Sequence, residues 1–329
     1  MIISASRRTD IPAFYVKWFM NRIRAGYFLR VNPMNTKQQK IISLLPEDVD
    51  CFVFWSKYPA PFLECLQILD DMAYRYYFQF TVNDYPLIFE PRLPDITTRT
   101  EIFKRLSEKI GPAKVIWRYD PIIISNVTSI DYHIMRFAKL ASILGNYTHR
   151  VTISFLDFYG KVNAKLKKFE QLNKLVGEDI TAPENEEKLS VLVRNISAIA
   201  RAAGLEMQTC AERINLDKYG VVHGKCLDPE LMNKVFALSL KTEKDPAQRP
   251  ECLCAKGADM GFYNTCKYNC NYCYATISEE SVLVNLEKHN LHSPAMLGNY
   301  DIRSFAKPAR KNNLIQHPKT KNTTIIIRK

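Results

Sequence analysis

The chain has 329 residues, a formal net charge of +12, 47% hydrophobic and 11% aromatic residues. That apolar content excludes a disordered chain, and the length suits one large α/β domain or two smaller ones. No apolar run approaches the roughly 20 residues that span a bilayer, and the opening Met1–Arg8 carries arginines too early for a signal peptide. The expected location is the cytoplasm, where thiols stay reduced and available to metal.

Six short β-rich runs recur along the chain: Ile2–Ser6, Cys51–Trp55, Tyr76–Val82, Lys114–Tyr119, Arg150–Phe155 and Leu205–Thr209. Most are nearly continuous in apolar or β-branched residues, the pattern of strands buried on both faces. Helical patterns separate them. Phe14–Arg24 follows the first run, with Gly26 as its stop. Pro59–Met72, Thr98–Ile110 and Ser129–Leu144 follow the next three, and Leu166–Val176 and Glu186–Ala203 follow the fifth. Alternation of this kind predicts an α/β fold with a parallel sheet. Six repeats predict a (βα)6–8 TIM-like barrel, partial or complete, over residues 1–215, with an open doubly wound sheet as the alternative. The chain has no G-x-G-x-x-G, which leaves a dinucleotide fold without support.

The C-terminal ends of these runs are rich in polar residues. They carry Ser6-Arg7-Arg8-Thr9-Asp10, Ser56-Lys57, Asn83-Asp84, Arg118-Tyr119-Asp120-Pro121, Ser154 with Asp157, and Cys210-Ala211-Glu212. In a parallel barrel these ends share one face, so six polar ends predict a pocket. Asp10 and Asp157 taken singly fit helix caps equally well. Arg7, Arg8 and Arg118 near a barrel mouth would need an anion as partner.

Five of the nine cysteines fall within Cys252–Tyr274, and Cys266, Cys270 and Cys273 are spaced C-x3-C-x2-C. Three thiolates in a tight loop can hold three corners of an iron–sulfur cube and leave one iron open. Structural zinc prefers two C-x2-4-C pairs, which this triplet fits poorly, and disulfides need an oxidising compartment. With Tyr272 before the last cysteine, the loop resembles the radical S-adenosylmethionine (SAM) superfamily motif C-x3-C-x-aromatic-C. Its ending Tyr272-Cys273-Tyr274-Ala275 is most similar to the spore-photoproduct-lyase side of that superfamily. The whole chain, from its S-R-R-T-D-I-P opening to the cysteine cluster, resembles a bacterial family of unknown function, DUF1848. In the superfamily the triplet follows the first strand. Here it follows all six candidate strands, and no Gly-Gly-Glu-like segment is present.

The resemblance implies a [4Fe–4S] cluster on Cys266, Cys270 and Cys273 that binds SAM and cleaves it reductively to a 5′-deoxyadenosyl radical acting on an unknown substrate. It also implies an electron donor such as flavodoxin or ferredoxin. From their positions, Arg118, Asp120 and Glu212 are candidates for holding SAM, and Arg7, Arg8, Lys57 and Asp157 for the chemistry. Cys210, Cys226, Cys252 and Cys254 supply four further thiols, the number of a complete second cluster, whereas Cys51 and Cys65 read as core. The cysteine-rich segment is expected over residues 216–285, packed on the barrel mouth, and a basic tail over 286–329. From Arg303 to Lys329 that tail has eight Lys or Arg and no acid, so it could attract nucleic acid or remain a solvated surface. The reading from a different class is an iron–sulfur or zinc protein that binds nucleic acid without redox turnover.

Overall fold

A computed structural model describes residues 1–158, 167, 170, 171, 175–241 and 243–302. The helix expected over Leu166–Val176 falls largely, and the tail Arg303–Lys329 wholly, outside these residues. The chain opens with β1 (Ile2–Ala5), α1 (Ile11–Phe14) and α2 (Val16–Ala25), then a hairpin of β2 (Tyr27–Asn32) and β3 (Asn35–Ser43). Next come β4 (Cys51–Ser56), α3 (Leu66–Asp71), β5 (Tyr76–Thr81), α4 (Ile96–Ile110) and β6 (Val115–Ile122). The short β7 (Ile124–Ser125) precedes α5 (Ile130–Leu144) and β8 (Arg150–Phe155); β7 pairs with β9 (Gly177–Glu178). The rest is α6 (Glu186–Ala202), β10 (Glu206–Cys210), β11 (Val222–Gly224), α7 (Pro229–Phe236), β12 (Gly257–Asp259) and α8 (Glu279–Glu287). Among the described residues no helix is long and apolar enough to cross a membrane.

All six expected strands form, and they lie side by side in the order β1-β4-β5-β6-β8-β10. Two three-residue strands extend the sheet: β11 beyond β10, and β12 on the far side of β1. Every ladder among these eight strands is parallel. A closed TIM-like barrel is not formed, because among the described residues β11 and β12 do not pair with each other. After Gly224 the chain leaves the sheet and turns into α7.

Side chains alternate across the sheet as the two-residue period demands. On β6, Val115, Trp117 and Tyr119 join the large core under the outer helices, while Ile116 belongs to a smaller apolar cluster with Ile2, Val53, Tyr77 and residues of α7. Arg118 shares the side of Ile116, so one face of the sheet is polar toward its C-terminal end. Trp117 stacks on Phe137 of α5 at 4.9 Å, and Trp18, Phe54 and Phe78 are fully buried. Each such side chain contributes on the order of 1.5–3 kcal/mol by leaving water. Helix ends follow their caps: Asp95 accepts from Thr98 N at 2.9 Å and Ser129 from Tyr132 N at 3.2 Å. Gly26 ends α2 in the left-handed region, φ +73°.

His133 of α5 is buried between Tyr119 Oη (2.8 Å) and the Ile123 carbonyl (2.9 Å). Because a carbonyl can only accept, Nε2 carries the proton and Nδ1 accepts from Tyr119. Burial pulls the imidazole pKa down from 6.5 to about 4, against the opposing hydrogen bond to Ile123. The unfolded chain therefore binds more protons between those two pH values, and stability falls as pH drops through that window. The loss is about 3 kcal/mol. Urea midpoints measured from pH 7 to pH 4 should show it, and His133→Gln should flatten that part of the curve.

Candidate functional site

The C-terminal strand ends surround a cavity of about 500 Å³. Its wall includes Arg7, Arg8, Lys57, Arg118, Asp120 and Asp157. It also includes Cys210, Cys226, Cys252 and Cys254, and the triplet Cys266, Cys270 and Cys273. Arg7 and Cys273, 266 positions apart in sequence, thus meet at one mouth. Glu212 stands just behind the wall, where its carboxylate accepts from Phe155 N at 2.8 Å. Cys51 and Cys65 stay away from the cavity, in the apolar core.

The triplet sits on the loop that follows β12. Asn264 and Asn269 both adopt positive φ, +55° and +51°, which Asn tolerates better than most residues. The loop is pinned at several points. Asn271 donates from its backbone to Phe89 O (2.9 Å) and from its side chain to Ile88 O (2.7 Å). Tyr272 Oη donates to Glu90 Oε1 (2.5 Å), and Tyr274 Oη to Arg7 O (2.7 Å). Gly261, at the start of the loop, has no room for a side chain: a Cβ there would lie 2.1 Å from Ser6 Oγ.

Burial pushes the Cys266 thiol pKa well up, with Asp10, Cys270 and Cys273 adding to the shift. Three thiolates in one loop, one buried and two partly buried, would be unfavourable without a cation to neutralise them. The hydroxyl of Thr9 and the amide oxygen of Asn269 are buried and have no hydrogen-bond partner, and both residues line the cavity. Unpaired polar atoms beside a thiol-rich loop fit an additional polar group in the cavity. The donor set and its surroundings are thus compatible with a cluster and a polar ligand.

The charged residues are held in three networks. Lys57 Nζ contacts Glu90 Oε1 (2.8 Å) and Tyr272 Oη (2.9 Å), and Glu90 also takes Arg99 (3.2 Å). Burial would lower the Lys57 pKa, but the neighbouring Glu90 carboxylate outweighs it and holds it up. The guanidinium groups of Arg7 and Arg8 approach Asp259 only to 3.8 Å, although Arg7 N donates to the same carboxylate at 3.2 Å. Asp259 is itself held by Ser4 Oγ (2.7 Å), Ser6 Oγ (2.5 Å) and Gly261 N (2.9 Å). Arg118 donates twice to Asp120 Oδ2, at 2.9 and 2.5 Å, and once to Cys226 Sγ at 2.8 Å. Asp120 also accepts from Ser154.

The carboxylates differ in role. Asp10 is the cap of α1, accepting from Ala13 N (3.0 Å), and it also receives Lys57 N (2.7 Å) and Ser56 Oγ (3.0 Å). Burial raises its pKa to about 6 against those bonds. Burial raises Glu212 to about 8, opposed by the bond from Phe155. Asp157 is half exposed and paired with Arg249 at 2.6 Å. Sequence reasoning missed Glu90 and Asp259. Each is an acid in a sequence that carries no motif, and each becomes central only through partners far along the chain.

The second thiol group is compact. Cys210 Sγ lies 3.0 Å from Cys226 Sγ, and Cys254 Sγ accepts from Cys226 N (3.2 Å) and Leu227 N (3.5 Å). None of the nine cysteines is in a disulfide. Among the described residues no group of three or more His, Cys, Asp or Glu side chains is arranged, as it stands, to hold a metal ion.

These observations define an α/β protein with an open, eight-stranded parallel sheet and a cysteine-lined cavity at the C-terminal strand ends. The chain belongs to the family described as a domain of unknown function (DUF1848), whose model matches residues 2–275. No curated protein and no solved structure matches it.

Proposed function

We propose that this chain is a radical-SAM-like enzyme whose [4Fe–4S] cluster is held by Cys266, Cys270 and Cys273. The observation that carries the reading is topological. In the superfamily that the motif resembles, the triplet follows the first strand. Here the triplet loop follows β12, which is last in the chain but stands at the sheet edge beside β1. In space, then, the cysteine-bearing strand comes first, followed by the six strands in sequence order. A late triplet and an early one reach the same end of the sheet.

When bound, the cluster would supply the electron that splits SAM into methionine and a 5′-deoxyadenosyl radical. The chain's own residues bind and orient. Arg7 and Arg8 share one carboxylate at 3.8 Å each, so their charge is only partly neutralised and remains available to the SAM carboxylate or an anionic substrate. Arg118 and Asp120 are tied to each other and would meet the cofactor as a pair. Glu212, with a pKa of about 8, is mostly protonated at neutral pH and can donate a hydrogen bond, and it holds Phe155 in the wall. Lys57 is committed to Glu90 and Tyr272, which makes it a positioning residue for the loop. Asp157, half exposed at the rim, would face substrate. An external electron donor of the flavodoxin or ferredoxin kind and a cytoplasmic location accompany this reading, and the substrate class stays open.

Protein purified without oxygen should be brown, with about four iron and four sulfide per cluster. Reduced in the presence of SAM, it should release 5′-deoxyadenosine. A colourless zinc protein would overturn the cluster. A full cluster without 5′-deoxyadenosine would leave the non-catalytic metalloprotein that binds nucleic acid.

A further inference from the structure

The two free edges of the sheet come close without forming a ladder. Beyond β11, Cys226 and Leu227 meet the segment that leads into β12: Ala255 N donates to Leu227 O at 3.0 Å. Four thiols stand at this seam. Cys210 ends β10 and Cys226 follows β11, whereas Cys252 and Cys254 precede β12. Cys210 and Cys226 are in contact at 3.0 Å, and all four thiols line the same cavity. Three N–H groups also point at these sulfurs: Arg118 at Cys226 Sγ (2.8 Å), and Cys226 N and Leu227 N at Cys254 Sγ. Thiolates bound to a cation at these positions would find those N–H donors already in place, one of them cationic.

We propose that Cys210, Cys226, Cys252 and Cys254 form a four-thiolate site for a soft metal, separate from the triplet, that ties the two sheet edges together where no strand pairing does. Four protein sulfurs complete a tetrahedral shell, so the site is closed and structural rather than open to substrate. With metal–sulfur bonds of about 2.3 Å, the sulfurs of such a shell stand about 3.7 Å apart. Cys210 and Cys226 need to part by less than about 1 Å to admit the ion. That spacing suits a single ion such as zinc, whereas the four thiolates of a cubane cluster each bind a different iron and would have to stand much farther apart. The inference stands apart from the SAM reading, because none of its four ligands belongs to the triplet.

The test uses the full chain with Cys266, Cys270 and Cys273 all replaced by Ser, purified without oxygen and offered zinc. The site should retain one zinc, and X-ray absorption at the zinc edge should read four sulfurs near about 2.3 Å. Adding Cys226→Ser and Cys254→Ser should remove that metal and lower the thermal midpoint by roughly 5 °C or more. A triple variant that keeps native circular dichroism yet takes up no zinc overturns the proposal, and so does a Cys210–Cys226 disulfide trapped by alkylation in the anaerobic protein. Release of 5′-deoxyadenosine by the unmodified chain is measured separately, so failure here and failure of the SAM reading are told apart.

Discussion

Replacing Cys266, Cys270 and Cys273 together by Ser should abolish 5′-deoxyadenosine formation and remove about four iron and four sulfide. Cys270→Ser alone should already cost the activity. A cluster held by three protein thiolates has no spare ligand, and Ser is a poor donor to a soft metal. The fold should survive, since Ser is close in volume to Cys and the loop is anchored by other residues. Asn271 is bonded to Ile88 and Phe89, Tyr272 to Glu90, and Tyr274 to Arg7. Circular dichroism of the variant should therefore match the unmodified protein while the iron absorbance is lost. If the triple variant cleaved SAM at the original rate, the triplet would not be the catalytic centre.

The parts of this molecule that could be read from sequence are those with short-range signals. Six strands were legible because each is a run of apolar or β-branched residues bounded by a helix pattern. The strands β11 and β12 were not, because Val222–Gly224 and Gly257–Asp259 are three residues long and carry no alternation. Their absence from the reading mattered, since β12 sets the cysteine loop beside β1 and the unpaired edges leave the barrel open. The gathering of Arg7, Lys57, Arg118 and the seven cysteines around one cavity follows from parallel topology, which puts all C-terminal strand ends on one side. Asp259 and Glu90 escaped because their partners are remote: Ser4 lies 255 residues from Asp259, and Tyr272 lies 182 residues from Glu90. No local pattern marks such an acid. The one available hint was that unpaired arginines and a lysine at a buried mouth require carboxylates from somewhere.

Glu90→Ala should be among the most destabilising substitutions in the chain. Glu90 is 2% exposed and takes Lys57, Arg99 and Tyr272 at once. Arg99 is 3% exposed, its Nε has no hydrogen-bond partner, and beside Glu90 its guanidinium donates to Asn83 O at 2.7 Å. Removing the carboxylate leaves two cations facing each other in a poorly solvated site, which costs about 3–5 kcal/mol when a buried pair is broken from one side. Tyr272→Phe deletes two hydrogen bonds of the same network, the one to Glu90 and the one from Lys57, and should cost about 1–3 kcal/mol. The two losses should be less than additive in a double-mutant cycle, because both act through one oxygen, Glu90 Oε1. The effect should also reach the metal. Tyr272 lies between Cys270 and Cys273, so the loop that carries the triplet loses one of its tethers to the strand ends. Urea unfolding should report the stability change, and the rate of iron loss to a chelator should rise in Glu90→Ala more than in Tyr272→Phe. A cost within about 0.5 kcal/mol, the range of ordinary surface changes, with unchanged iron retention would mean that Lys57, Glu90 and Tyr272 do not hold the loop at the mouth.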